Sequence, residues 1–244
     1  MGKFLAFLYG AVVYLIFFAT FLYAIGFVGN LVVPKSIDSG GGAFSIPTLI
    51  IDALLLGLFA IQHSVMARQW FKRAWTKVVP RPVERTTYVL FASLCLILLY
   101  WQWRPMTGVI WNVENASGRM VLTGLFLLGW LTVLVSTFLV SHADLFGLRQ
   151  VMIYVRGQNY EPVGFKTPAL YKGVRHPIYL GFMIAFWSAP TMTQGHLLFS
   201  IATTAYMLLA IQFEEHDLVS FFGDAYREYR RRTPMLIPFS KRAK

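Results

Sequence analysis

Tyr171-Lys-Gly-Val-Arg-His-Pro-Ile-Tyr-Leu-Gly181 opens an apolar stretch that Glu214-Glu-His-Asp-Leu-Val-Ser-Phe-Phe-Gly-Asp-Ala-Tyr226 closes. Pro177 suits the first turn of a helix, where its missing N–H is not needed, and it places Tyr179 on that turn. The run 178–189 stops at Pro190, residues 191–195 read as a turn, and 196–213 bring the chain back to two adjacent carboxylates and an imidazole. This is a helical hairpin, and closing it gathers Arg175, His176, Tyr179, Glu214, Glu215 and His216 at one end. Ionisable groups confined to the ends of apolar runs are the pattern of a membrane-embedded chain.

Composition agrees. Of the 244 residues 57% are hydrophobic and 14% charged, with mean hydropathy +0.56, too apolar for an ordinary soluble domain. A formal net charge of +11 could serve nucleic acid. The basic residues, however, fall in blocks between apolar runs, as membrane orientation requires, and no nucleic-acid partner is expected. Cys95 is the single cysteine. It allows neither a disulfide framework nor a cysteine metal site within the chain and reads as a small core or lipid-facing residue.

Upstream, the run 4–27 is longer than the 7–15 residues of a signal-peptide core and lacks a small-x-small cleavage site, so it reads as a retained membrane helix. Residues 30–47, with Pro34 and Gly40-Gly-Gly42, form a loop. A second run, 48–66, has Asp52 and His63 as its ionisable groups. Arg68, Lys72, Arg73, Lys77, Arg81 and Arg85 crowd the next connector, followed by a third run, 86–103, and a fourth, 120–140. Ser141-His-Ala-Asp144 then leads into a connector holding Arg149, Arg156, Lys166, Lys172 and Arg175. Beyond Glu215, Leu218, Phe221, Phe222, Ala225, Tyr226 and Tyr229 recur at helical spacing with charged residues opposite, predicting an amphipathic interfacial helix. Thr233-Pro234 ends it, and 235–239 read as an apolar strap.

The fold class is therefore all-α, a polytopic integral membrane helix bundle of five to six transmembrane helices with a C-terminal hairpin and an interfacial helix. It is read as a single membrane-embedded domain, 1–140 forming a four-helix bundle and 141–244 the part built around hairpin 177–213. Six crossings put 19 of the 22 Lys and Arg on the cytoplasmic side, leaving only Lys35, Arg104 and Arg119 opposite. Five crossings, with the short arm of the hairpin failing to span, stay open. Both termini and the polar cluster are placed on the cytoplasmic face of a bacterial inner membrane.

His142, Asp144, Arg175, His176, Glu214, Glu215 and His216 thus come from three stretches to one membrane depth. The plainer alternative is that they are interfacial charges ending their helices. Haem would need two histidines on facing helices in apolar surroundings, whereas His196 falls on the far side and the other four lie at polar helix ends. No His-x-x-x-His or cysteine pair supports zinc, and no metal is expected. A Gly-x-Gly-x-x-Gly between strand and helix is absent, which excludes a Rossmann-type methyltransferase or dehydrogenase.

Arg175-His-Pro-Ile-Tyr-Leu-Gly181, Glu214-Glu215, Phe221-Phe-Gly-Asp-Ala-Tyr-Arg-Glu-Tyr229 and Thr233-Pro234 together resemble the C-terminal signature of the isoprenylcysteine carboxyl methyltransferase superfamily. That signature runs Arg-His-Pro-x-Tyr-x-Gly, Glu-Glu, Phe-Gly-x-x-Tyr-x-x-Tyr and a terminal Pro, and the likeness covers the last third of the chain. His142-Ala-Asp-Leu-Phe-Gly-Leu-Arg-Gln-Val151 is similar to the bacterial methanethiol S-methyltransferase branch, grouped with NnrU-like membrane proteins, with Asp144 in place of the more usual Glu.

The resemblance implies S-adenosylmethionine as cofactor. Gly173, Arg175, His176, Tyr179 and Gly181 would lie on one side of it, and Glu214, Glu215, Tyr226 and Tyr229 on the other. It also implies a small thiol, methanethiol, converted to dimethyl sulfide. Because a thiol near neutral pH is mostly protonated, a base is useful. His142 and Asp144 are expected as a hydrogen-bonded base pair, with His216 second; the alternative for the pair is a structural bond at the end of the fourth helix. Other acceptors are a prenylcysteine carboxylate or a lipid amine. An NADPH-dependent sterol-type reductase shares part of the pattern but usually has an acidic residue where Phe182 stands, and a non-enzymatic accessory membrane protein is the remaining alternative.

Overall fold

A computed structural model describes residues 2–238 and 240, so Phe239 at the end of the expected strap lies outside the described residues. In chain order the elements are α1 (Lys3–Gly29), α2 (Ile46–Ala67), α3 (Gln69–Trp75), α4 (Arg81–Gln102), β1 (Val109–Asn112), α5 (Ala116–Val140), α6 (His142–Leu145), α7 (Leu148–Val155), α8 (Leu170–Gly173), α9 (Pro177–Trp187), β2 (Thr191–Thr193), α10 (Gln194–Phe222) and α11 (Asp224–Arg232). The fold is an all-α membrane bundle with one small two-stranded sheet, β1 beside β2.

Among the described residues five helices, α1, α2, α4, α5 and α10, are long and apolar enough to cross a membrane. Helix α9, at 11 residues, spans about 17 Å against a hydrocarbon thickness of about 30 Å. By length alone α9 is shorter than a full span, yet Glu215 at the end of α10 returns to Arg175 and His176 at the start of α9, as the hairpin requires.

The chain forms two compact units. The first comprises Met1–Gly108, His142–Pro162 and Thr193–His196. Here α4 packs against α1, α2 and α7, around Val13, Met66, Tyr88 and Val89 with Tyr9, Phe17, Phe71, Trp75 and Phe146 about them. Local signals set the helix ends. Ser45 Oγ accepts the Thr48 N–H at 3.2 Å and Pro47 sits in the first turn of α2. Pro82 likewise lets α4 begin at Arg81, five residues before the expected apolar run, because a proline in the first turn extends a helix backwards through polar residues. The basic connector contains α3, which apolar periodicity did not reveal.

The second unit comprises Val109–Ser141, Val163–Met192 and Leu197–Lys244. The fourth long helix, α5, therefore groups with the hairpin rather than with the three helices before it. The reason is a close helix crossing. A Cβ added at Gly181 of α9 would stand 2.7 Å from the Gly129 carbonyl oxygen of α5 and 2.9 Å from Val133, so hydrogen at both glycines is what lets the two backbones meet. On α10, Ser200, Met207, Ile211 and Glu215 are buried and share one face, so an apolar stripe ends in a carboxylate.

The amphipathic helix differs from expectation. Nothing in Glu214-Glu-His-Asp217 breaks a helix, and α10 runs straight through them to Phe222. The break falls at Gly223, whose φ of +57° is a left-handed value that glycine adopts at little cost. The separate surface helix, α11, begins only at Asp224.

Candidate active site

In the second unit, α8 ends at Gly173, and extended Val174 leads through a bend at Arg175 into α9. This short segment is clasped by the C-terminal tail. The Arg175 N–H donates to the Pro234 carbonyl at 2.9 Å and the His176 N–H to that of Met235 at 3.2 Å. The tail thus folds back beside the Arg-His-Pro turn, and the pairing is local in space although some 60 residues separate its partners.

Arg175 joins three elements. Its Nε donates to Glu215 Oε1 at 2.6 Å. Its Nη1 donates to the carbonyls of Thr233 at 2.6 Å and Arg230 at 3.1 Å, satisfying the exposed end of α11. His176 Nε2 meets the same Glu215 oxygen at 3.0 Å, and Arg230 Nη1 approaches Oε2 at 3.8 Å. The side chains of Arg175, His176 and Glu215 are 11%, 3% and 8% exposed, so this is an ion cluster largely withdrawn from water. Charge-assisted bonds of this kind are strong, and a buried charge left without its partner is destabilising.

The neighbouring Glu214 is differently placed. Its side chain is 43% exposed; Oε2 accepts the Tyr179 hydroxyl at 2.9 Å and lies 3.9 Å from His176 Nδ1. One carboxylate of the pair is thereby consumed internally and the other presented. Tyr226, 2% exposed, has no hydrogen-bond partner for its hydroxyl among the described residues. Burial first, and the nearby Glu215 next, push that phenol well above the ordinary tyrosine range. It therefore stays protonated, a donor with nothing to donate to. The Tyr229 hydroxyl donates to the Tyr171 carbonyl at 2.5 Å, and burial pushes its pKa up to about 12. The Phe165 ring contacts Phe222, Tyr226 and Tyr229 at centroid separations of 5.3, 5.8 and 5.4 Å, forming an aromatic wall.

Arg175, His176, Glu214 and Glu215 thus meet with Tyr179, and Tyr226 and Tyr229 adjoin through Phe165. Gly173 is exposed with open space around it, and Gly181 is occupied in the α5–α9 crossing. His216 is exposed on α10. Sequence reasoning missed Phe165, Arg230 and the strap carbonyls. Phe165 sits alone in a polar connector, where no periodicity marks it.

His142 and Asp144 belong to the first unit and do not form the expected bonded pair. His142 Nε2 meets the Tyr14 hydroxyl at 2.9 Å, with Phe146 packed on the ring at 4.7 Å. Burial lowers its pKa, so the neutral, proton-accepting form persists below the usual histidine value. Asp144 instead accepts from Arg149 Nη1 at 3.0 Å, Gln150 Nε2 at 3.2 Å and the Tyr160 hydroxyl at 3.0 Å. Arg149 also reaches the Glu161 carbonyl at 2.9 Å. Two residues on, a carboxylate on this short helix is turned away from the imidazole and towards the following strap. Asp144→Asn should therefore loosen residues 156–162 and speed tryptic cleavage after Arg156 by about ten-fold or more, given the worth of bonds to a charged group. Unchanged cleavage would rule out the strap role.

A helical membrane bundle whose last third closes an Arg-His-Pro turn onto paired glutamates has the features of the membrane methyltransferase superfamily resembled in sequence. The chain is 54% identical over 242 residues to the methanethiol S-methyltransferase of Mycobacterium tuberculosis, covering 99% of each. With methanethiol S-methyltransferase 1 of Bradyrhizobium diazoefficiens it shares 56% over 239 residues, 98% of this chain and 84% of that one. A more distant relative is mouse nurim, 31% identical over 180 residues, 70% of this chain and 68% of that one. No family model matches, and no solved structure matches. The chain belongs to the methanethiol S-methyltransferase family.

Proposed function

We propose that the protein transfers a methyl group from S-adenosylmethionine to methanethiol, releasing dimethyl sulfide. The relatives' names support the acceptor. The observation that carries the cofactor reading is the division of labour within the cluster. Glu215 is sealed by Arg175 and His176, while Glu214, bonded to Tyr179, keeps its side chain 43% exposed and the Tyr226 hydroxyl has no partner among the described residues.

When bound, S-adenosylmethionine supplies an electrophilic methyl group on a sulfonium cation. The residues of the second unit fit such a ligand. Glu214 suits its ammonium or ribose diol, the Tyr226 hydroxyl suits an acceptor atom, and the faces of Phe165, Tyr226 and Tyr229 suit a cation or an adenine ring. Arg175 and His176 act here as positioning residues, since their donors are engaged by Glu215 and the α11 carbonyls. Gly181 positions α9. His142 is the candidate proton acceptor for the thiol, held neutral by burial and oriented by Tyr14, with His216 second. Asp144 steadies the strap after α7. The basic blocks orient this machinery toward the cytoplasm of a bacterial inner membrane.

The test is direct. Purified protein given methanethiol and S-adenosylmethionine should release dimethyl sulfide into the headspace, and NADPH should neither bind nor substitute. Absence of product with a demonstrably folded protein would overturn the proposal. Tyr226→Phe should leave thermal stability nearly unchanged, because the lost hydroxyl has no internal partner, yet weaken cofactor binding about three- to ten-fold. Calorimetric titration with S-adenosylmethionine would read it.

A further inference from the structure

Two cations stand together at one end of the first unit, away from any basic block. Lys35 lies in the loop after α1 and Arg104 just past the end of α4. Their loops are locked to one another, Trp103 Nε1 donating to the Ile37 carbonyl at 3.0 Å and the Thr107 N–H to that of Gly42 at 2.9 Å. Lys35 Nζ donates to the Trp101 carbonyl at 2.5 Å, at the open end of α4. The Arg104 backbone N–H donates to Asp52 Oδ1 at 2.9 Å, while its side chain stays exposed with no carboxylate against it among the described residues. Burial, and then the Arg104 charge, hold the Lys35 ammonium below the ordinary lysine range, so the two cations sense each other.

The nearby carboxylates stand behind this surface, Asp52 attracting both cations from within the protein. Asp52 is fully buried, with Oδ2 unpartnered among the described residues. Asp38, on the same loop as Lys35, is engaged by Asn30 Nδ2 at 2.7 Å and the Thr193 hydroxyl at 2.5 Å. Positive-inside orientation explains the other basic blocks but leaves Lys35 and Arg104 on the opposite face without a purpose.

Beside Arg104 runs a shallow, open apolar groove lined by Ile51, Leu54, Leu55 and Leu58 of α2 and by Gln102 and Arg104. Ile51, Leu54 and Leu58 recur at three- and four-residue spacing along about 10 Å of helix and are 38%, 68% and 45% exposed. We propose that this groove binds an anionic phospholipid, its phosphate between Arg104 and Lys35 and an acyl chain along the α2 stripe. The chemistry selects the occupant. Free phosphate would gain nothing from the apolar stripe, and a zwitterionic headgroup brings its own cation to a site already holding two. Cations at a membrane surface favour anionic headgroups by an amount that makes each one significant.

The experiment uses the full-length protein in mild detergent, incubated with phosphatidylglycerol, phosphatidylcholine or inorganic phosphate and examined by native mass spectrometry. Phosphatidylglycerol should be retained most strongly and phosphate not at all. Arg104→Gln keeps the backbone bond to Asp52 and should lower retention about five-fold. Leu58→Gln should lower it as well, and Arg73→Gln, in the basic connector, should not. The thermal unfolding transition of each variant checks that it is folded. Equal retention of the two lipids, comparable adducts with phosphate alone, or equal losses in Arg104→Gln and Arg73→Gln would each overturn the assignment.

Discussion

Glu215→Ala is expected to destabilise the second unit by about 3–5 kcal/mol, the range for stranding a buried charge by removing its partner. Glu215 Oε1 is shared by Arg175 Nε at 2.6 Å and His176 Nε2 at 3.0 Å, and the guanidinium so released is only 11% exposed. The same guanidinium holds the Thr233 and Arg230 carbonyls, so the loss should spread to the junction of α11 with the tail. Chemical unfolding in detergent would measure it. Glu214→Ala is expected to behave oppositely, unfolding within about 1 kcal/mol of wild type, because its side chain is 43% exposed and makes a single close bond, to Tyr179. Its affinity for S-adenosylmethionine should fall about 10–100-fold, the worth of a charged hydrogen bond. If Glu215→Ala stays stable and Glu214→Ala unfolds, the assignment of one acid to structure and the other to ligand is wrong.

The second large effect falls on the helix crossing. Gly181→Ala should cost about 1–3 kcal/mol and Gly181→Val more, since the first added carbon already meets the Gly129 carbonyl oxygen at 2.7 Å and the Val133 nitrogen at 2.9 Å, both fixed backbone. Gly129→Ala should match it, because the corresponding Cβ would meet the Ala185 nitrogen and the Gly181 oxygen at 2.6 Å. In the molecules that remain folded, cofactor affinity should be that of the wild type. A weakened affinity with unchanged stability would instead make Gly181 a cofactor contact.

These expectations mark where the sequence was informative. The long helices were legible because lipid demands an unbroken apolar run of about 20 residues, and few other structures leave that pattern. The meeting of Arg175 and His176 with Glu214 and Glu215 was legible because a hairpin between them leaves their ends little choice. The pairing of His142 with Asp144 was not. Two residues apart on a short helix point in different directions, and the partners that take them up, Tyr14 and Tyr160, lie in segments with no mark in the sequence. The start of α11 was misplaced for a related reason: its apolar spacing continues that of α10, and the break is one glycine in a left-handed conformation.

Hydropathy and charge placement, read along the chain alone, determined that this is a helical membrane protein and which ionisable groups gather at one end of its hairpin, since both follow from the cost of taking polar groups out of water. Tertiary structure alone decided which of two adjacent acids is buried against Arg175 and His176 and which is left exposed, because neighbours in sequence lie about a quarter-turn apart on α10 and only packing chooses the inward one. It also decided that Gly181 serves a crossing of backbones and that Lys35 and Arg104, 69 positions apart, share one surface. Such outcomes depend on loops and helices approaching from distant segments, and no local pattern records the approach.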